Sequence, residues 1–370
     1  MKFTIFGLTI SSAWGNGHAT PYCGLLRALH RRGHRIDFFE KDVPYYARHR
    51  DFSTCDFCNL VLYSNWDEVR NRALRAAEEC DVVIVASYCP AGARISDEIL
   101  ELNSPLRIFY DLDTPITLQH LASGIEYLRA DQIPEFDLYL SFTGGKVLQE
   151  LEQRWGARYV HPLYGSVDPE AHRRTQPLPE FACDLSYMGT HSSDRCAKLE
   201  ALFLEPALRS PKKDFVLAGA LYPWDCTWPP NVRRFDHVFP QHHAALYSSS
   251  RCTLNITRQA MAQNGYCPSG RFFEAAACGT PILTDSWVGL DSFFTPCVEL
   301  LVVQNADDVL SALACTDNEL LRIAARARER TLAEHTAETR ATELLSYITH
   351  CSLASSRPAS QAVCTVEQAS

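Results

Sequence analysis

One pattern occurs twice along the chain and limits its fold more than any other feature: a short apolar strand, a loop, a helix and a second strand. The first copy comprises the strand KFTIFGLTI, the loop SSAWGNGHATP, the helical stretch YCGLLRALHRRG and the strand HRIDFFEKD. A strand–helix–strand unit of this kind places its two strands parallel in one sheet. A ligand site is then expected at the carboxyl ends of the strands.

The strands fall into two series separated by one polar segment. That segment, DPEAHRRTQPLPEFA, is rich in proline and charge, which is typical of a linker. The pattern therefore predicts two α/β domains, each doubly wound around a parallel sheet. The remaining strands are predicted at 81–88, 106–113, 137–142 and 157–164 in the first domain, and at 184–190, 214–220, 233–238, 252–257, 280–285 and 299–303 in the second.

The C-terminal region is predicted to be helical with one interruption. A capping box at Thr316 and Glu319 indicates where a helix starts, and the pattern breaks near His335. The last twenty residues are small and polar without periodicity, which predicts a disordered tail. The predicted divisions are an N-terminal domain at 1–170, a linker at 171–182, a C-terminal domain at 183–335, a helix at 336–350 that packs back on the N-terminal domain, and a tail at 351–370.

Composition narrows the class of protein. The 370 residues carry 35 Lys and Arg against 44 Asp and Glu, a net charge of −9, which argues against a broad nucleic-acid-binding surface. The 15 cysteines are odd in number and follow no export signal, so we expect reduced thiols in the cytoplasm. We also expect no transmembrane segment, because no window approaches 18 apolar residues.

The stretch around residue 270 combines features of an anion site. Ser269, Gly270 and Arg271 open a predicted helix, and Glu274 lies one turn further in. Free N–H groups at a helix N-terminus suit a diphosphate, and a carboxylate there accepts hydrogen bonds from the two hydroxyls of a ribose. An ordinary amphipathic helix with a surface Glu is the alternative, and the residues alone leave both interpretations open.

The sequence RFFEAAACGTP, residues 271–281, resembles the C-terminal donor-site motif of GT-B glycosyltransferases, and more closely the CgeB-like family. Together with other segments in the same order, the resemblance covers about residues 1–345. It implies a GT-B fold, with two Rossmann-like domains facing a central cleft. It also implies a nucleotide-sugar donor, such as a UDP-sugar or dTDP-sugar, held mainly by the C-terminal domain without a further cofactor. The supporting segments are 111–121, 141–151, 162–169, 184–195 and 253–258.

The resemblance also implies roles for individual residues. Glu274 matches the Glu that binds the donor ribose, and Tyr266 stands where many retaining enzymes carry a second Glu, so the stereochemical outcome stays open. The implied diphosphate residues are Ser269, Gly270, Arg271, Gly189, Thr190 and Arg258, and those shaping the sugar pocket are Asp285, Trp287, Gly289 and Leu290.

Three loops of the N-terminal domain are predicted to face the acceptor. One interpretation of Asp113 is that it deprotonates an acceptor hydroxyl or holds a sugar hydroxyl, and another is that it caps the next helix. A third is that it binds a metal together with Asp111, but we expect no metal. His18 either polarises the acceptor or touches the donor phosphate, or simply belongs to the first turn of its helix. The other predicted acceptor-side residues are Asn16, Gly17, Thr114 and Gly144.

These features predict a metal-independent hexosyltransferase that moves a sugar from a nucleoside-diphosphate sugar to an acceptor hydroxyl. A polysaccharide, a protein or a small molecule remains open as the acceptor. A nucleotide-sugar 2-epimerase-like enzyme and a non-catalytic nucleotide-sugar-binding protein are the alternatives, because one fold serves several functions. His242 and His243 are interpreted as part of a surface turn.

Overall fold

The computed structural model describes residues 1–223 and 227–355. Two entirely parallel sheets form the framework, in the strand orders β3-β2-β1-β4-β5-β6-β7 and β10-β9-β8-β11-β12-β13. The predicted α/β class with two parallel-sheet domains is confirmed. The strands are β1 Lys2–Gly7, β2 Arg35–Lys41, β3 Asn59–Tyr63, β4 Val82–Ala86, β5 Leu106–Asp111, β6 Leu138–Ser141, β7 Val160–Pro162, β8 Cys183–Met188, β9 Phe215–Ala218, β10 Val232–Phe235, β11 Ser250–Asn255, β12 Ile282–Thr284 and β13 Leu301–Val302.

Helices cover both faces of each sheet. Their packing buries apolar residues of the first sheet in two clusters, one on each side. The α-helices are α1 Ala19–Arg31, α2 Pro44–Ala47, α3 Trp66–Glu78, α4 Gly92–Leu100, α5 Thr114–Leu121, α6 Lys146–Gln153, α7 Cys196–Leu199, α8 Glu205–Arg209, α9 Pro240–Ser249, α10 Gln259–Asn264, α11 Gly270–Ala277, α12 Ala306–Ala314, α13 Asp317–Glu334 and α14 Ala337–Ser355; short helical turns occupy Ala130–Glu135, Pro179–Phe181, Ser193–Arg195, Glu200–Leu204 and Leu290–Ser292.

Two strand predictions differ from the structure. The sequence analysis missed β3, whose residues NLVLY follow an irregular stretch instead of a helix. It also extended β1 to Ile10, whereas β1 ends at Gly7 and the chain then turns into a loop. The capping box of α13 is confirmed, since Thr316 and Glu319 satisfy each other's backbone N–H groups, and the predicted helix break falls at His335.

The last helix, α14, packs on the N-terminal domain although it follows the C-terminal one. Ala341 and Leu344 are fully buried in the same core cluster as α1 and β1. The helix continues to Ser355, beyond the predicted end at residue 350, because Cys351 is buried in that cluster. The predicted tail therefore begins later than 351, and residues 356–370 lie outside the described residues.

The chain crosses between the domains at two places that lie side by side. Val167 N–H donates to the His335 carbonyl at 3.0 Å, and Ala337 N–H donates to the Val167 carbonyl at 2.8 Å. The first crossing and the return crossing are thus hydrogen-bonded to each other. The thirteen cysteines in the described ranges are all free thiols. Within those ranges, no helix combines the length and the apolar character that a membrane span requires.

Leu344→Ala is expected to lower the free energy of unfolding by about 2–5 kcal/mol, because the truncation leaves a cavity in the core between α14 and the N-terminal sheet. Leu208→Ala is the matched control, since Leu208 is also helical but 64% exposed. Urea unfolding measures both. Similar destabilisation by the two substitutions would contradict the packing of α14 described here.

Candidate active site

Two adjoining cavities open between the carboxyl ends of the two sheets. The main cavity has a volume of about 430 Å³, and the side cavity, next to β8 and β9, has a volume of about 80 Å³. Both are lined by residues of the N-terminal and the C-terminal domain. Of the predicted residues, the main cavity is lined by Asn16, Gly17, His18, Asp113, Thr190, Arg258, Ser269, Gly270 and Arg271, and the side cavity adds Gly189 and Glu274.

A buried carboxylate fixes the loop that follows β1. Glu40 is fully buried at the end of β2. Its Oε1 accepts a hydrogen bond from Thr9 Oγ1 at 2.7 Å, and its Oε2 accepts from the backbone N–H groups of Ile10 at 2.8 Å and Ser11 at 3.2 Å. Hydrogen bonds to a charged acceptor are stronger than neutral ones. Glu40 therefore anchors the loop that carries Asn16, Gly17 and His18 to the cavity.

Asn16 then positions His18 within that loop. The Asn16 amide donates to the Thr9 carbonyl at 3.2 Å, and its Oδ1 accepts from the His18 N–H at 3.1 Å. The His18 side chain does not cap α1, although His18 is the residue preceding that helix. Its imidazole instead turns toward Asp113, with 3.6 Å between His18 Nε2 and Asp113 Oδ2.

Asp113 Oδ2 is a meeting point of side chains from both domains. Besides His18, it accepts a hydrogen bond from the Tyr88 hydroxyl at 2.9 Å and lies 3.7 Å from Arg258 Nη1. Arg258 follows β11 of the C-terminal domain, and its Nε lies 3.5 Å from Asp194 Oδ2. The cluster thus links loops of the two sheets across the main cavity.

These neighbours keep the Asp113 carboxylate ionised. Burial acts to raise the pKa of Asp113, but the charges of His18 and Arg258 and the hydrogen bond from Tyr88 outweigh it, so the pKa lies below its ordinary value. The capping alternative for Asp113 is wrong, because its side chain makes no hydrogen bond to the first turn of α5.

Asp111 faces away from the cavity, into the core below it. Its carboxylate is fully buried and accepts hydrogen bonds from Tyr139 Oη at 2.7 Å and Thr117 Oγ1 at 2.8 Å. Burial raises the pKa of Asp111 to about 6 despite these bonds. The two carboxylates thus face different surroundings, and only Asp113 lines the main cavity.

The N-terminus of α11 opens onto both cavities. Ser269 caps the helix, with its Oγ accepting the Arg271 N–H at 3.4 Å. Within the described part of the chain, the Arg271 guanidinium makes no ion pair, and a Cβ added at Gly17 would lie only 3.8 Å from Arg271 Nη2. The loop that carries Gly17 therefore lies close to the Arg271 guanidinium at the helix N-terminus.

Glu274 lies one turn further along α11 and is buried, with 5% of its surface exposed. The alternative of a surface Glu is therefore wrong. Glu274 Oε2 accepts a hydrogen bond from Tyr247 Oη at 3.4 Å and lies 3.9 Å from His172 Nε2. Burial lowers the pKa of His172 and of His243 to about 4, so both imidazoles are neutral at pH 7.

Four predicted donor residues do not line either cavity. Asp285 is buried, pairs with Lys198 and accepts the Thr257 N–H at 2.9 Å. Trp287 and Leu290 belong to the core cluster beneath α11. A Cβ on Gly289 would lie 2.5 Å from the Tyr266 ring, so Gly289 makes room for Tyr266. The sugar-pocket prediction is corrected: these four residues lie outside both cavities, and of them Gly289 packs against the loop 265–269 through Tyr266.

Two predicted acceptor-side residues are also corrected to supporting roles. Thr114 is fully buried and shares a 2.7 Å hydrogen bond with Ser141. Gly144 donates its N–H to the Tyr266 carbonyl at 2.9 Å, and a Cβ there would lie 2.0 Å from the Tyr164 hydroxyl. Gly144 therefore joins the two domains through the loop 265–269 and does not contact the cavity.

The structure adds cavity residues that the sequence analysis missed. Tyr88, Gly219 and His237 lie just after β4, β9 and β10, respectively. They could have been predicted, because ligand sites lie at the carboxyl ends of parallel strands. His243 is buried, not part of a surface turn, while His242 beside it is exposed. The other missed lining residues include Tyr46, His191, Ser192, Arg195, Ala220 and Val238.

Part of the sequence matches a known protein family. Residues 195–346 match the family described as Glycosyl transferase-like. No curated protein matches the sequence. The match covers most of the C-terminal domain, including Arg258, Ser269, Arg271 and Glu274.

Solved structures resemble the whole chain. Sucrose-phosphate synthase from Thermosynechococcus elongatus is 12% identical with a TM-score of 0.67, covering 96% of this chain and 100% of that one. An alpha-glucosyltransferase in complex with UDP-glucose and DNA containing an abasic site is 14% identical with a TM-score of 0.72, covering 94% and 99%. Anabaena Alr3699/HepE in complex with UDP-glucose is 10% identical with a TM-score of 0.64, covering 95% and 100%.

At these identities the likeness is one of fold. The shared GT-B fold and the family match of the C-terminal domain together support the class of GT-B glycosyltransferases. The narrower resemblance to the CgeB-like family stays a prediction.

Asp111→Asn is expected to change how stability depends on pH. Because the folded-state pKa is raised from 3.8 to about 6, the folded protein holds a proton that the unfolded chain releases between these values. The free energy of unfolding therefore decreases as pH rises from about 4 to about 6, by roughly 3 kcal/mol from this residue. Urea unfolding across this range should show a weaker decrease in Asp111→Asn, and equal slopes would contradict the assignment.

Proposed function

We propose that the protein transfers a sugar from a nucleoside-diphosphate sugar, with UDP as the nucleotide, to an acceptor hydroxyl. One observation carries the proposal: the capped N-terminus of α11 opens onto the cleft beside the Arg271 guanidinium, and the buried carboxylate of Glu274 lies one turn behind it. This order of an anion site followed by a carboxylate suits a diphosphate followed by a ribose.

In this proposal the ribose of the donor lies at the side cavity, and the diphosphate lies at the α11 N-terminus between the two cavities. Glu274 lines that cavity together with the backbone of Gly189 and Gly219, where the absence of side chains permits close approach. A Cβ on Gly219 would lie 2.0 Å from the Gly189 carbonyl, so the ends of β8 and β9 require glycine there. UDP is proposed as the nucleotide because structures of the same fold contain UDP or UDP-glucose.

The transfer breaks the bond between the sugar C1 and the diphosphate oxygen and forms a bond from C1 to the acceptor oxygen. Negative charge grows on the departing diphosphate, where Arg271, Arg258 and the α11 N-terminus stabilise it. We propose that no divalent metal acts at the diphosphate, since Asp111 faces the core and Asp113 is already paired with cations.

The acceptor occupies the main cavity, beside Asp113 and His18. The acceptor hydroxyl gives its proton to the His18 imidazole as the new bond forms, and the ionised Asp113 carboxylate beside it stabilises the positive charge that results. The Asp113 carboxylate, in turn, orients His18 and is itself held by Tyr88.

The main cavity suits one sugar-sized or similar polar acceptor group. Tyr46, Tyr88, His191 and Arg195 line it and offer aromatic faces and hydrogen-bond donors. We propose no nucleic-acid acceptor, because the chain has a net charge of −9. The free thiols favour the cytoplasm as its location.

Arg271→Ala is expected to weaken UDP binding about 10- to 100-fold, because charge-assisted hydrogen bonds contribute about 1.5–3 kcal/mol. Arg328→Ala is the matched control, since Arg328 contacts the opposite end of α11 through the Ala277 carbonyl at 3.2 Å. Isothermal titration with UDP, without added Mg²⁺ or Mn²⁺, measures both variants.

Glu274→Gln tests the ribose contact in the same experiment. It should weaken binding of UDP but leave the far weaker binding of inorganic diphosphate unchanged. If Arg271→Ala and Glu274→Gln both bind UDP like the unmodified protein, the donor site has been placed wrongly. Dependence of UDP binding on added Mn²⁺ would contradict the metal-free diphosphate site.

Asp113→Asn is expected to lower kcat by about 10²- to 10⁴-fold while UDP binding is retained, because the substitution removes the charge that faces the acceptor and His18. Tyr88→Phe keeps the Asp113 carboxylate and removes only one of its hydrogen bonds, so it should have a smaller effect. Sugar transfer to a panel of hydroxyl acceptors measures both variants.

The same assay separates the other functions of this fold. An unchanged kcat in Asp113→Asn would remove Asp113 from the mechanism. Conversion of the donor sugar without any acceptor would indicate an epimerase-like enzyme, and UDP binding without any turnover would indicate a binding protein.

A further inference from the structure

Behind Glu274, three potential ligands meet in a buried cluster. His172 comes from the interdomain linker, His243 from α9 and Glu274 from α11. One nitrogen or oxygen atom of each lies within 4.8 Å of those of the other two. The exposed fractions of the three residues are 2%, 9% and 5%, so water has little access to them.

Three of the four imidazole nitrogens in this cluster lack a hydrogen-bond partner within residues 1–223 and 227–355. Among the described residues, neither nitrogen of His172 makes a hydrogen bond, and His243 Nδ1 has none either. The other nitrogen of His243, Nε2, bonds to the Val238 carbonyl at 3.0 Å. A buried polar atom without a partner lowers the free energy of unfolding. We therefore expect an additional group between these imidazole nitrogens.

The donor nucleotide does not supply that group to His172. Glu274 and His243 line the side cavity, whereas His172 lines neither of the two cavities. The Glu274 carboxylate also has two distinct sides. Its Oε2 faces His172 at 3.9 Å, while its Oε1 is the oxygen near Gly270 at the start of α11.

We propose that His172, His243 and Glu274 bind one Zn²⁺ ion. Two imidazoles and one carboxylate are a donor set that zinc accepts, with a fourth position left for water. The hydrogen bond from His243 to the Val238 carbonyl is the outer contact that metal-binding histidines commonly make, and it leaves Nδ1 as the ligand atom.

The zinc has a structural role in this proposal, distinct from sugar transfer. It joins the linker to α9 and α11 and fixes Glu274 through Oε2, which leaves Oε1 directed toward the cleft. It lies behind Glu274 and not at the diphosphate site near Arg271. The proposal therefore stands even if the protein does not transfer a sugar.

Zinc binding is measured on the full chain, without a polyhistidine tag, after chelation and readdition of zinc. We expect one tightly held zinc per chain, by elemental analysis and by competition with a chromophoric chelator. His172→Ala and His243→Ala should each weaken binding at least about tenfold. His242→Ala is the matched control, because this neighbouring histidine is exposed, and it should bind like the unmodified protein.

Cobalt substitution identifies the ligands, which matters in a chain with 15 cysteines. Bound Co²⁺ should give visible absorption of a four-coordinate site without the near-ultraviolet thiolate band that cysteine ligands produce. This test uses the unmodified protein, so it holds even if a histidine variant fails to fold. A thiolate band at the tight site would overturn the proposal.

Equal zinc contents of the unmodified protein and the two histidine variants would also overturn it. So would the absence of tight zinc from a folded, unmodified protein, in which case the imidazoles act as hydrogen-bond partners of Glu274. UDP titration of the same samples is an independent readout. If the protein binds zinc but not UDP, the result supports the zinc site and contradicts the proposed transferase. If it binds UDP but not zinc, only the zinc site is contradicted.

Discussion

The active cleft depends on one carboxylate oxygen, Asp113 Oδ2, which three side chains share. Tyr88 and His18 approach it from the N-terminal domain and Arg258 from the C-terminal domain. A carboxylate with so little exposure is stable as an anion only when cations and donors surround it. The loops after β1, β4, β5 and β11 are therefore held in a mutual arrangement, and the main cavity lies between them. The same charge that would act on an acceptor also connects the domains.

The sequence was sufficient for the framework because parallel sheets leave a strong local signal. Buried strands such as Val82–Ala86 are continuous apolar runs, and their ends mark the ligand edge without any long-range information. Asn16, His18, Asp113, Arg271 and Glu274 all follow from strand ends or helix starts, and all reach the cleft. The sequence pattern did not predict the strand Asn59–Tyr63, because the connection before it is irregular and shows no regular helical pattern.

What the sequence could not supply is the partner of each side chain. Asp285 follows a strand just as Asp113 does, but its carboxylate pairs with Lys198 and accepts a hydrogen bond from the Thr257 N–H. Both partners lie far from Asp285 in sequence. Glu40 carries no motif, but its buried carboxylate holds the whole loop after β1. His243 was indistinguishable from His242 in sequence, and only the packing of α9 buries one and exposes the other. Side-chain partners and burial of this kind are set by tertiary packing, which local sequence patterns do not encode.

The position of α14 has a consequence for the order of folding during synthesis. Its residues Ala337, Ala341, Leu344 and Ile348 complete the core that contains β1 and α1, elements that leave the ribosome long before α14. Domains generally fold as units once their chain has emerged. The N-terminal domain precedes the C-terminal one in the chain but lacks one wall of its core until α14 is translated. The C-terminal domain is contiguous from Cys183 to about His335, so its own core is complete before that of the N-terminal domain.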